Sequence, residues 1–325
     1  MRRFLPPAAL LLAACGAPAA TGEVVRFTVP AGASVRQVSD TLAARGLITS
    51  PLGFRLVSRF TGGDRKIRAG IYDVAMGTGP KDILAILRTG RVAVQKITVP
   101  EGLTLAEMAT AVAARYGLDA AAFLAAARDP ALLRQVGTDR PSLEGFLLPE
   151  TYTLPLPATP EALVGAMVSG MERAWTPVWR ARADSIGLTQ LQVLTLASIV
   201  EGEARHDDER NVIAGVYTNR LRRGMALQAD PTVQYAIQLA TGNRKTRLYF
   251  KDYAFQSPYN TYLRTGLPPG PVNNPGWKSI AAALYPAEVP FLYFVALPDG
   301  HHRFSKTLAE HNRAIREIRT RPLAR

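Results

Sequence analysis

Cysteine is almost missing from this 325-residue chain. Cys15 is the only one, so no intramolecular disulfide can form. Histidine is nearly as scarce: His206, His301, His302 and His311 do not fall at ligand-like spacing, and no metal is expected. There is no glycine-rich nucleotide fingerprint and no defensible Ser/His/Asp arrangement, so no cofactor is expected either. Acids are in deficit, with 26 Asp and Glu against 39 Lys and Arg and a net charge of +13. Such a balance suits an anionic surface, either phospholipid headgroups or a carboxylate-bearing polymer. Arg313, Arg316, Arg319, Arg321 and Arg325 make the carboxyl terminus especially basic, which a solvated helix and tail also explains. The apolar run at the amino terminus, Phe4 to Ala14, is interrupted by Pro6-Pro7 and is too short to span a bilayer.

That run follows Met1-Arg2-Arg3 and reads as an export signal. Leu12-Ala13-Ala14-Cys15 matches the bacterial lipobox, which makes residues 1–15 a lipoprotein signal peptide, Cys15 the acylated first residue and 16–22 a linker. Cleavage after Ala17-Pro18-Ala19 is the competing reading and would release a soluble protein. Gly16 does not suggest retention at the inner membrane, so the membrane stays open. An export signal argues against nucleic acid, which the charge alone would allow.

The length accommodates two domains. Val24 to Val29 alternates like a strand. Ser34 to Arg45 reads as a helix capped by Ser34 and ended by Gly46, and Ser50-Pro51 opens another through Arg59. The pattern Val-Pro-Ala-Gly-Ala-Ser-Val at 29–35 returns as Val-Pro-Glu-Gly-Leu-Thr-Leu at 99–105, again between a strand (Ala93 to Val99) and a helix. Asp119 to Arg128 is an Ala-rich helix stopped by Asp129-Pro130.

Chemistry concentrates around Leu194-Thr195-Leu196-Ala197-Ser198-Ile199-Val200-Glu201-Gly202-Glu203. Leu194, Ala197, Ser198 and Glu201 share one helix face, so Glu201 ends an apolar stripe. A Glu held among apolar groups keeps its proton to higher pH and can deliver it to a leaving oxygen. A helix-end cap or ion pair is the plainer reading. Glu203 lies two residues on, roughly 200° around the helix, so only one of the two acids faces a cleft. The stripe argues for Glu201.

A second helix, Glu209 to Leu221, ends at Arg222-Arg223-Gly224. Met225 to Asp230 reads as a loop and Pro231 opens a helix to Leu239. Asp230 suits an N-cap; Gln228 has no structural duty and suits a substrate contact. Gln256 to Gly276 is rich in Pro and Gly and cannot be a helix or central strand. Its Ser257, Tyr259 and Asn260 put amide and hydroxyl groups beside aromatic rings, which suits a sugar; a structural turn region is the alternative.

Ala197 to Glu203, Asn219-Arg220-Leu221, Leu227 to Thr232, Ser257 to Tyr262, Gly266 to Pro271 and Leu292 to Ala296 together resemble the endolytic murein transglycosylases of the MltG (YceG-like) family, in the family's order. Leu143 to Tyr152 resembles the segment ahead of its catalytic core. The resemblance implies an α+β fold: a small LysM-like α/β module region over 23–142, followed by a mixed α/β catalytic transglycosylase domain over 143–325.

It implies cleavage of the β-1,4 bond between N-acetylmuramic acid and N-acetylglucosamine in nascent glycan strands. The muramic 6-hydroxyl attacks its own anomeric carbon and leaves a 1,6-anhydro end, so one carboxylate serves where a hydrolase needs two at ~5–5.5 or ~6.5–9.5 Å. By position Glu201 resembles the catalytic acid/base, with Gln228, Asp230, Ser257, Tyr259 and Asn260 as sugar contacts and Glu203 and Asn219 in support. His301 and Ser305 are placed at the cleft rim. Where the family commonly has Lys between the two acids this chain has Gly202, which weakens the helix. The expected setting is the cell envelope, with the catalytic domain in the periplasm beside the peptidoglycan synthases and a lipid anchor at Cys15 where the family usually has a transmembrane helix. Two other functions stay open: a muramidase with Asp230 or Glu203 as second carboxylate, and a non-catalytic glycan-binding scaffold for the synthases.

Overall fold

The structure, a computed structural model, describes residues 22–62 and 67–320. Cys15, the signal segment and the linker up to residue 21 lie outside the described residues. Two compact units divide the chain: residues up to Gln95 with Thr153–Ala158, and Lys96–Tyr152 with Thr159 onward.

In the first unit, strand β1 (Val24–Val29) leads into α1 (Val35–Ala44) and α2 (Pro51–Phe60), and β2 (Gly70–Ala75) returns antiparallel to β1. The register runs from Val24 opposite Ala75 to Val29 opposite Gly70. Phe27, Val29, Tyr72 and Val74 thereby point to one side, where Val38, Leu42, Leu47 and Phe54 bury them. Helix α3 (Pro80–Thr89) closes this core with Ile83, Leu84 and Leu87. The expected caps are in place: Ser34 and Gln37 form a reciprocal capping box, and Ser50 accepts the Gly53 N–H.

Strand β3 (Val94–Thr98) pairs with β4 (Thr151–Pro155), and the division between the units falls inside both strands. The repeated pattern is a repeated structure. Gly32 and Gly102 both adopt left-handed φ (+73° and +76°), and Thr104 caps α4 (Leu105–Tyr116) in a box with Glu107 as Ser34 caps α1. The two short helices α5 (Ala120–Ala126) and α6 (Pro130–Gln135) follow. Asp129-Pro130 not only stops α5 but starts α6, because Pro fits a first turn and the Asp129 carboxylate accepts the Ala131 N–H. Helices α4 to α6, grouped by the sequence with the amino-terminal module, pack in the second unit, where α5 lies on α7 (Pro160–Ala174).

The rest of the second unit is built around α9 (Gln190–Glu203), which packs against α8 (Pro177–Ser185), α10 (Arg210–Arg222), α11 (Asp230–Thr241) and α12 (Trp277–Leu284). Every residue of α9 from Val193 to Val200 is buried. A helix that is apolar all round has no solvent face. Thr195 and Ser198 satisfy their hydroxyls inside it, on the carbonyls of Leu191 and Thr195. Gly202 lies inside the helix, which continues to Glu203. A hairpin of β5 (Tyr293–Ala296) and β6 (His302–Ser305), with α13 (Leu308–Thr320) against it, completes the unit. No single helix among the described residues is long and apolar enough to cross a membrane.

Candidate active site

Glu201 and Glu203 leave α9 toward different partners. Glu201 Oε2 accepts the Gly276 N–H at 3.1 Å, one residue before α12, and lies 3.2 Å from Arg210 Nη1. Both side chains of that ion pair are nearly buried, at 7% and 9% exposure. Arg210 is further tied to Asp207 and Ser279. Burial and the Glu201 charge push the neighbouring Glu101 carboxyl above its ordinary range. The Glu201 carboxyl is thus occupied by a guanidinium and by an amide at the start of α12.

Glu203 lines a cavity of about 340 Å³ together with Tyr217, Arg220, Gln228, Asp230, Tyr262, Phe294, Ala296, His302 and His311. Tyr217 Oη donates to Glu203 Oε1 at 2.9 Å, and the Asp230 backbone N–H also donates to this carboxylate. Burial opposes its ionisation first, and the Asp230 charge second; together they raise the Glu203 carboxyl to about 7 despite the two donors. A carboxyl balanced there is protonated often enough to act as an acid and ionised often enough to act as a base.

The cavity wall is assembled from loops stitched at one threonine pair. Thr261 Oγ1 accepts the Ala229 N–H at 3.0 Å and meets Thr232 Oγ1 at 2.9 Å, while its carbonyl accepts the Gln228 N–H at 3.0 Å. These bonds hold Gln228 at φ +51°, the one positive-φ non-glycine among the described residues. Such a conformation costs of order 1–3 kcal/mol and is sustained only where its surroundings over-determine it. Tyr262 Oη donates to Asp230 Oδ1 at 2.6 Å, and Tyr253 leans on Tyr262 with ring centroids 4.5 Å apart. Asp230 is not the N-cap: it sits in the first turn of α11, Ala229 occupies the cap, and the Asp230 side chain faces Tyr262 instead.

Of the expected sugar contacts, Gln228 and Asp230 line the Glu203 cavity and three others do not. Asn260 is fully buried: its Nδ2 holds the carbonyls of Tyr253 and Phe255 at 2.9 and 2.8 Å, and its Oδ1 accepts the Tyr262 N–H. It shapes the loop from within. Tyr259 belongs to a separate hollow, accepting from Arg140 at 2.8 Å and lying edge-on to Tyr235. Ser257 Oγ accepts the Tyr259 N–H as a turn former. Asn219 clamps the carbonyls of Val289 and Phe291. Ser305 is buried in β6; His301 stacks on His206 at 3.7 Å outside the cavity, and it is His302 that lines it. Tyr217, Arg220, His302 and His311 were not foreseen as cavity residues; their contacts with the wall join segments far apart in sequence.

A buried carboxyl with a raised pKa, beside a second acid and among hydroxyl, amide and aromatic groups, makes this cavity the candidate general acid–base site for a polyhydroxylated substrate. Comparison with known proteins agrees with the sequence: the YceG-like family profile matches residues 27–317, and the chain belongs to that family. The endolytic murein transglycosylase of Bacillus subtilis (strain 168) is 33% identical over 306 residues, covering 89% of this chain and 83% of that protein. A protein of the same name from Streptococcus pneumoniae serotype 2 (strain D39) is 30% identical over 323 residues, covering 91% of this chain but 58% of the longer relative. A crystal structure of a YceG-like protein from Listeria monocytogenes superposes with a TM-score of 0.60 at 32% identity, over 90% of this chain and 100% of that one.

Proposed function

We propose that this chain is an endolytic murein transglycosylase, a peptidoglycan lyase, with Glu203 as its acid/base. The observation that carries the assignment of the acid is the placement of Glu203 at the wall of the cavity, beside Asp230 and under the Tyr217 hydroxyl, where burial raises its carboxyl. Glu201 is set aside for that role in this proposal because its carboxyl is engaged by Arg210 and by the Gly276 N–H at the start of α12.

The chemistry follows from one carboxyl. Protonated Glu203 delivers its proton to the glycosidic oxygen as the bond to the anomeric carbon breaks. The carboxylate so formed is stabilised by the Tyr217 hydroxyl and the Asp230 N–H, and then takes the proton of the muramoyl 6-hydroxyl as that oxygen closes on the anomeric carbon. The proton count returns to its start and the product carries a 1,6-anhydro end. Asp230, held by the Tyr262 hydroxyl in the same cavity, is assigned the support of positive charge developing on the sugar. The strand–helix–helix–strand unit of β1 to β2 is assigned the LysM-like holding of glycan, and the Cys15 lipid anchor the attachment to a membrane of the cell envelope.

Product analysis of uncrosslinked glycan strands tests this. The protein is expected to release internal fragments ending in 1,6-anhydro-muramic acid, and Glu203→Gln to release none. Reducing ends would make it a hydrolase with Asp230 as second carboxylate. Strand binding without cleavage would make it a scaffold.

A further inference from the structure

The Glu203 cavity has a second buried carboxylate behind its wall. Glu209 closes the short turn Asp207–Glu209 ahead of α10, and His302 opens β6. Their side chains are 10% and 5% exposed. Glu209 Oε2 lies 2.8 Å from His302 Nδ1, and Glu209 Oε1 accepts the His302 backbone N–H at 2.8 Å. A carboxylate can only accept, so Nδ1 carries the hydrogen. That leaves Nε2, in a direction fixed by the Glu209 contact, as the ring nitrogen open to a ligand. Phe294 packs edge-on to the same ring at 5.2 Å and removes its remaining freedom.

Two readings of this pair can be separated. Pinning the start of β6 to the turn needs only the backbone N–H, which any residue but proline supplies. Burying an imidazole against a carboxylate adds a desolvation cost that this pinning does not require. What the imidazole adds is an oriented nitrogen on a residue that lines the cavity of the acid. His301, its neighbour, shows the contrast: it is exposed, stacked on His206 and absent from the cavity.

We propose that His302 is a substrate-positioning group: fixed by Glu209, its Nε2 accepts a hydrogen bond from a free hydroxyl of the glycan strand and sets the register of the scissile bond against Glu203. The proposal rests on the transglycosylase reading above. It assigns His302 no proton transfer; orientation alone is its contribution.

The two nitrogens can be removed separately. His302→Asn keeps an amide nitrogen where Nδ1 sits but has nothing at the Nε2 position, whereas His302→Gln reaches the Nε2 position. Kinetics on uncrosslinked strands are measured at a temperature where both variants are folded, with thermal melts alongside. His302→Asn is expected to lose roughly tenfold or more in kcat/KM with a melting temperature near that of the unaltered protein, and His302→Gln to recover most of the activity. Full activity in His302→Asn overturns the proposal, and so does a His302→Gln as impaired as His302→Asn. Failure of the underlying reading is visible independently, as cleavage by Glu203→Gln or no cleavage by the protein with His302 intact.

Discussion

Removing one oxygen atom, by Tyr217→Phe, perturbs the acid with the least disturbance to the fold. Tyr217 is 1% exposed, its ring lies edge-on to Phe294 at 5.7 Å, and its hydroxyl donates to Glu203 at 2.9 Å. That bond favours the ionised carboxylate, so it holds the Glu203 carboxyl below where burial alone would put it. Hydrogen bonds to charged groups are worth about 1.5–3 kcal/mol. At about 1.4 kcal/mol per pH unit, losing one would raise the carboxyl by roughly 1–2 pH units. The Asp230 N–H remains in place, which favours the lower end, roughly 1 unit. The sign is fixed by the chemistry: with a donor to the anion gone, the protonated form persists to higher pH. The alkaline limb of kcat/KM, expected near the carboxyl's value of about 7, should therefore move up, while activity on the acid side changes little. The assay is the pH dependence of strand cleavage by both proteins. A limb that stays in place, or moves down, would refute the assignment of Glu203 as the proton donor.

Two further expectations concern the whole fold. Glu203 and the buried Glu144 are raised to about 7 and about 8, so between the ordinary carboxylate value of ~4.3 and those values the folded chain holds more protons than the unfolded one. Stability should fall as pH rises through that window, read as a falling urea midpoint; a rising midpoint would contradict the burial of both acids. Glu201→Gln takes the charge from a nearly buried ion pair and should cost about 3–5 kcal/mol in denaturant unfolding, with strand cleavage retained. Cleavage lost at unchanged stability would return the acid role to Glu201.

The caps were legible in the sequence because they are local. Ser34 and Ser50 each bond an amide within three residues, and the repeated Val-Pro-x-Gly turn needs only its own glycine to fold back. The choice between Glu201 and Glu203 was not legible, for a physical reason. A period-3.6 stripe points inward only when the rest of the helix meets water, and α9 is enclosed by four helices. Every face of it is an inside face, so the stripe ending at Glu201 carried no direction. What separates the acids is what lies beyond the helix: Arg210 and Gly276 on one side, Tyr217 and the amide of Asp230 on the other. Asn260 misled for a related reason. An amide beside aromatic rings suits a sugar, but it suits two stray backbone carbonyls equally, and here it satisfies those.

Gly202 leaves no side chain between the two acids, and a Cβ there would stand 2.6 Å from the Pro231 ring. The last turn of α9 and the first turn of α11 therefore meet backbone against ring, which ties the residue before Glu203 to the residue after Asp230. Glu203 and the Asp230 amide that donates to it therefore stand on two helices in direct contact. The donor to that carboxylate is thus set in place by the folding of the chain itself, through the packing of one glycine against one proline.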